Sequence, residues 1–159
     1  MTLYANLATV FGIGRVRTAP GTAGSAAAML IAVPVLSFAG WAVMGILALA
    51  ITAFAIWAAD GYGVETGLSD PQDCVIDEVA GQWVACAIAG MAAMPGKPVL
   101  SIAGYVLVFL LFRLFDIAKP WPIKQAESLR GGLGIVADDV LAGIVAGVVV
   151  FLLTYWNFV

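Results

Sequence analysis

The stretch from Trp41 to Ala59 reads WAVMGILALAITAFAIWAA, nineteen residues without a charge. A bilayer's hydrocarbon core takes about 20 apolar residues in a helix. A helix on a soluble protein needs a polar face, and this stretch has none. Four further stretches are of the same kind. Ser25 to Phe38 is short unless Gly21–Gly24 adds a turn, and Val79–Met94, Val99–Phe115 and Val140–Trp156 follow. The small residues of the first and third suit close helix packing. The chain of 159 residues is 63% hydrophobic and only 11% charged, against about 25% charged residues in a soluble domain. The fold class that follows is all-α, a polytopic membrane helix bundle of about five transmembrane spans. One membrane-embedded domain covers residues 1–159.

The connections differ in kind. Gly40 barely separates the first two stretches, and Pro95-Gly96-Lys97-Pro98 is a tight turn between the third and fourth. Asp60–Glu78 and Asp116–Asp139 are long and polar. With five spans, the N-terminal segment and both long loops share one face. That face holds Arg15, Arg17, Arg113, Lys119, Lys124 and Arg130, and the other holds only Lys97. The bias places the N-terminus and both loops on the cytoplasmic side. Every acidic residue falls on the same side, so any chemistry sits at the cytoplasmic membrane surface. Residues Met1 to Val10 lack the positive region of a signal peptide. They read as mature sequence and as a short interfacial helix with Leu3, Leu7 and Val10 on one face.

Several function classes drop out. A net charge of −3 offers no broad basic surface to nucleic acid. Histidine is absent, which removes histidine nucleophiles, bases and metal ligands. Cys74 and Cys86 have no metal or disulfide spacing and read as small buried residues. Neither is followed six positions on by arginine, as a cysteine phosphatase loop requires, since Ala80 and Ala92 stand there. No Asp-x-Asp pair exists for haloacid-type phosphatase chemistry. Neither charge nor motif speaks to oligomeric state.

Four segments could carry chemistry. Thr18-Ala19-Pro20-Gly21-Thr22-Ala23-Gly24-Ser25 leads into the first span, with Thr22 or Ser25 as a cap and free N–H groups that favour phosphate. Asp70, Asp73 and Asp77 are spaced to share a helix face, with Glu78 next to them; clustered carboxylates repel unless a cation neutralises them, and hard oxygen ligands suit Mg²⁺. Arg113 and Lys119 flank Asp116 where the chain leaves the bilayer, and both can hold phosphate. Trp121 fits the interfacial aromatic belt. Gly131-Gly132-Leu133-Gly134 precedes Asp138 and Asp139; one aspartate can cap a helix there, and the second points to a metal or proton function. Together the segments place acids and bases on one face, as metal-assisted chemistry on a phosphorylated lipid requires.

These segments, in this order, resemble the phosphatidylglycerophosphatase A family. The matching strings are PGTAGS (Pro20–Ser25), DPQDCVIDEVAG (Asp70–Gly81), FRLFDIAKPWPI (Phe112–Ile123) and GGLGIVADDVLAG (Gly131–Gly143), and they cover the chain end to end. Two positions depart from the family pattern: Ala23 stands where tryptophan is common, and Asp73-Cys74 replaces a Glu or Gly followed by an aliphatic residue. Asp73 is therefore not carried over. The resemblance implies a multi-pass enzyme of the cell inner membrane that hydrolyses phosphatidylglycerophosphate, its lipid substrate, to phosphatidylglycerol and phosphate with Mg²⁺. On this reading Asp77, Glu78, Asp138 and Asp139 form the metal site with Asp70, and Asp116 adds a catalytic carboxylate. Arg113, Lys119, Gly21, Thr22 and Gly132 bind the phosphate. Attack by water and attack by an aspartate are both compatible with these residues. The rival readings are a small cation channel or transporter, and a non-catalytic lipid-binding membrane subunit.

Overall fold

The computed structural model describes residues 2–93 and 99–159. The Pro95–Pro98 turn, Lys97 and the end of the third stretch at Met94 lie outside the described residues. Among the described residues the chain is all helix and loop, with no strand. Its elements are α1 (Leu3–Ala8), a 3₁₀ turn (Ile13–Arg15), α2 (Pro20–Thr66), α3 (Ile76–Gly90), α4 (Ile102–Ala118), α5 (Ile123–Ala126) and α6 (Gly132–Tyr155).

Each of the five apolar stretches contains helix, but the boundaries move: α3 ends at Gly90, α4 starts only at Ile102 and α6 ends at Tyr155. Helix α2 begins at Pro20, whose fixed φ suits a first helical position, so the glycine segment does contribute a turn. Neither Thr22 nor Ser25 caps it: Ala19 is the N-cap, and the Ser25 hydroxyl donates back to the Gly21 carbonyl at 2.8 Å. Gly40, at φ +79°, is the one non-helical residue inside α2 and divides it into two arms. A left-handed φ of this kind favours glycine. The second arm runs past Ala59 to Thr66, because Ala58, Ala59 and Tyr62 are buried and Tyr4 of α1 packs on Gly61 and Trp57. Gly67 in the left-handed region closes it. The long loop expected from Asp60 thus shrinks to residues 67–75.

Helix α1 also differs from expectation. Val10 lies beyond it at φ +47°, and the face against the protein is Ala5 and Ala8, while Leu3 is exposed. Helix α4 is capped at its start by Ser101, whose hydroxyl accepts from the Gly104 N–H at 3.0 Å. It ends at Lys119, which stands at φ +42° before Pro120. Helix α6 starts eight residues before Val140, so Asp138 and Asp139 are inside it rather than capping it; the N-cap is Gly131.

The helical segments run up and down. Thr2 bonds Glu65 at 2.5 Å and the Gly132 N–H bonds Asp60 at 2.9 Å, which gathers α1, the end of α2 and the start of α6 at one end. Gly90 packs on Leu36 and Trp41, at the opposite end beside Gly40. Helices α3 and α6 start at the same end and run parallel. Gly143 of α6 lies against the Gly81 backbone and Gly147 against that of Ala85, so close that a Cβ at either glycine would collide. Helix α3 is the central rod, mostly buried between α2 and α6.

The outer surface is apolar. Phe38 is 92% exposed, Ile102 85% and Leu30 80%, and patches of such residues seek a non-aqueous neighbour. By length and composition two helices can cross a bilayer, α2 with 47 residues and α6 with 24. The 15 residues of α3 and 17 of α4 fall short of the usual count of about 20.

Candidate active site

The starts of α2, α3 and α6 and the end of α4 meet at the end of the bundle that carries α1. Asp77 and Glu78 occupy the first turn of α3. Asp139 enters from α6. The rows Asp77-Gly81-Ala85 and Asp139-Gly143-Gly147 have the same four-residue spacing, and they are the rows along which the two helices touch. Residues four apart lie on one helix face. The glycine contact therefore fixes the height of both aspartates from backbone packing alone. One ligand oxygen from each of Asp77, Glu78 and Asp139 lies within 4.8 Å of the others. Asp77 Oδ1, Glu78 Oε2 and Asp139 Oδ2 are buried without a hydrogen-bond partner. Three carboxylates so close together repel one another unless a cation joins them, and hard oxygen donors of this kind fit Mg²⁺.

Arg113 stands behind this cluster. Its guanidinium pairs with Asp116 at 2.5 Å and Glu78 at 3.5 Å, and reaches the Ser25 hydroxyl at 3.5 Å. Gly21 lets α2 approach: a Cβ there would strike the Glu78 carboxylate. Arg113 thus pairs with two carboxylates through one terminal nitrogen, while its Nε is buried without a partner. Lys119 pairs with Asp138 at 2.7 Å and Glu127 at 3.1 Å. Partial burial pulls its pKa down, but the hydrogen bonds and charges of Asp138 and then Glu127 outweigh that and hold it above the ordinary lysine value.

A cavity of about 450 Å³ opens over the cluster. Asp70, Asp77, Glu78, Asp116, Lys119, Glu127, Asp138 and Asp139 line it, with Cys74, Leu129 and Arg130. Burial, and then the charge of Glu78, push the Cys74 thiol up to about 12. Both cysteines are buried.

Several expected sites change place. Asp70 and Asp73 precede α3 in the loop, so they share no helix face with Asp77. Asp70 lines the cavity, whereas Asp73 turns away, accepting from Tyr62 at 2.8 Å and lying 3.9 Å from Arg15. Of the residues expected at the phosphate from the glycine-rich segments, Gly21 lies against Glu78 and Arg113, and neither it nor Thr22 nor Gly132 lines this cavity. The Gly132 N–H is taken by Asp60, and a Cβ at Gly132 would collide with the Ile56 carbonyl, so this glycine serves helix packing. Asp138 belongs with Lys119 rather than with the close trio. Glu127 and Arg130 were missed as site residues; their nearness in sequence to the glycine-rich segment was the available signal.

The family model described as Phosphatidylglycerophosphatase A matches residues 6–154. A relative from Haemophilus influenzae, named phosphatidylglycerophosphatase A, is 37% identical over 151 residues, covering 94% of this chain and 88% of its own length. One of the same name from Escherichia coli K12 is 30% identical over 155 residues, covering 94% and 83%. No solved structure matches.

Proposed function

We propose that this chain, which belongs to the phosphatidylglycerophosphatase A family, hydrolyses phosphatidylglycerophosphate to phosphatidylglycerol and inorganic phosphate, with Mg²⁺, at the cytoplasmic face of the inner membrane. We read it as a single domain over residues 1–159 with five crossings: the two arms of α2, then α3, α4 and α6. The alternating direction of these segments and their exposed apolar residues support that reading. The shortness of α3 and α4 is tolerable where neighbouring segments cover their ends and the bilayer thins locally.

The observation that carries the chemistry is the trio Asp77, Glu78 and Asp139, with ligand oxygens within 4.8 Å of one another and one buried oxygen of each carboxylate without a hydrogen-bond partner, lining a cavity that also holds a lysine. These three would hold Mg²⁺, with Asp70 and Asp116 near enough in the cavity wall to assist. The ion, when bound, supplies Lewis-acid polarisation of a phosphoryl oxygen and a more acidic bound water. Arg113 holds Glu78 and Asp116 in orientation, so the cluster is preorganised before substrate arrives. Asp138 and Glu127 hold the Lys119 ammonium at the cavity wall, where it meets the phosphate and offsets charge on the departing glycerol oxygen. The bond that breaks joins phosphorus to that oxygen; the bond that forms joins phosphorus to a water oxygen, directly or after attack by one of the aspartates.

The test is phosphate release from phosphatidylglycerophosphate by the purified protein in detergent micelles. Release that stops with chelator and returns with Mg²⁺ supports the reading. Full turnover in excess chelator removes the metal from it, and no release under any condition removes the phosphatase.

A further inference from the structure

We propose that Arg130 recognises the phosphodiester of the lipid, the anionic group that stays with the product, and so selects substrates that carry one. This rests on the phosphatase reading above. The substrate of that reading has two phosphates, a terminal monoester that is cleaved and a diester one glycerol away. The cavity must accept both, although seven carboxylates line it and repel anions. The cations in and behind it are unequally free. Arg113 is held by Glu78 and Asp116, and Lys119 by Asp138 and Glu127. Arg130 lines the same cavity and is exposed, with no ion pair or hydrogen bond to any described residue.

Its position separates it from the monoester. The carboxylate trio is largely buried, on α3 and α6, whereas Arg130 stands outside α6, in the loop just before Gly131 at φ +65°. Leu129, 47% exposed, lines the cavity beside it. A planar guanidinium takes two phosphate oxygens at once, and an apolar neighbour suits the glycerol and acyl carbons that follow a diester. The monoester would sit at the trio and Lys119, and the diester at Arg130.

The experiment compares Arg130→Ala and Arg130→Lys with the parent in mixed micelles. With phosphatidylglycerophosphate, Arg130→Ala should lower kcat/KM by about tenfold, the order expected for losing a charged hydrogen-bond pair, and the loss should fall on KM. Arg130→Lys should recover part of it. Inhibition by phosphatidylglycerol, which has the diester alone, should weaken by about the same factor. Turnover of phosphatidic acid and inhibition by inorganic phosphate, which offer only a monoester or its product, should not move. Lys124→Ala, an exposed cation outside the cavity, should leave KM unchanged; a rise equal to that of Arg130→Ala would reduce the effect to general attraction and overturn the proposal. Equal losses with phosphatidic acid, or weaker inhibition by inorganic phosphate, would put Arg130 on the monoester and overturn it. No change in any arm would also overturn it. Should the parent release no phosphate from phosphatidylglycerophosphate, the phosphatase reading fails. Binding of phosphatidylglycerol micelles to parent and Arg130→Ala, followed by tryptophan fluorescence, still decides the arginine's role.

Discussion

Helices α3 and α6 each carry a pair of adjacent carboxylates, α3 in its first turn and α6 about two turns in, and the two pairs are treated differently. In α3 both Asp77 and Glu78 face the shared cluster, and the longer Glu78 also reaches Arg113. In α6 the pair divides: Asp139 joins the cluster while Asp138 pairs with Lys119. Neighbours on a helix point about 100° apart, so one orientation of α6 serves two partners. The role of an acidic residue here is set by what stands opposite it, not by the acid beside it in sequence.

Neutralising the cluster should break the comparison most severely. Asp77→Asn or Asp139→Asn keeps size and removes a charge that a metal would need. Either should cut turnover by about a hundredfold or more, equivalent to about 2.7 kcal/mol of transition-state stabilisation. Initial rates of phosphate release across a Mg²⁺ titration would check this, and unchanged rates would mean that the cluster is not the reacting centre.

The parallel seam comes next. Gly143→Ala places a methyl group against the Gly81 backbone and must push α6 away from α3. Separating the aspartates by a fraction of an ångström should reduce kcat by about thirtyfold, with the protein still folded by circular dichroism. An alanine at Gly45, where nothing lies within 4 Å, is the control and should retain the parent rate.

Asp138→Asn should cost less, about tenfold, because it frees Lys119 without removing a member of the cluster. Lys119→Met should cost a similar amount, and the double variant should lose less than the product of the two, since each acts through the other. The pH sign is fixed by the raised pKa of Lys119. Its pairing contributes fully below the ordinary lysine value of 10.5 and fades only as pH rises through the higher folded value. A decline of activity between pH 6 and 9 must therefore come from another group, and the profile of Asp138→Asn should keep the parent's shape there.

Asp73→Asn should sharpen the contrast from the other side. Asp73 ties the loop to Tyr62 and Arg15, so thermal stability should fall while kcat changes by about twofold or less. The smallest effect is expected of the Cys74→Ala, Cys86→Ala double variant, which should retain most of its activity. A Cys74 thiol pushed up to about 12 stays neutral near pH 8, and maleimide labelling of the folded protein should be slow there.

The sequence made some of this legible and hid the rest for identifiable reasons. Charge-free runs such as Trp41–Ala59 announce helices because a helix satisfies its backbone hydrogen bonds within one continuous apolar segment. The doublets Asp77-Glu78 and Asp138-Asp139 pointed to a site because acids rarely begin an apolar helix without cause. The division of labour between Asp138 and Asp139 was hidden, since it depends on which side of α6 meets Lys119, a residue nineteen positions earlier. The pairing of Arg113 with Asp116, three residues on along α4, was open to view in the sequence, whereas Glu78 becomes its neighbour only through the α3–α4 contact. Gly131, Gly132 and Gly134 fall within the long polar connection expected from Asp116 to Asp139. Two of them begin α6 instead, since close contact with Ile56, Asp60 and Leu129 leaves no room for a side chain. The matched spacing of Asp77 to Gly81 and Asp139 to Gly143 was visible throughout, but only a parallel pairing of the two helices gives it meaning.

That parallel pairing has a cost in route. Two rods that start at the same end cannot be joined by a tight turn; the chain must first travel back. Helix α4 is the homeward leg, and it arrives carrying Arg113 and Asp116 within its last two turns and Lys119 one step beyond. The positive charges reach the carboxylates because the itinerary demands that something arrive there. A shorter detour between α3 and α6 would bring the second acid pair to the wrong end of the bundle, and would leave the first with no cation to greet it.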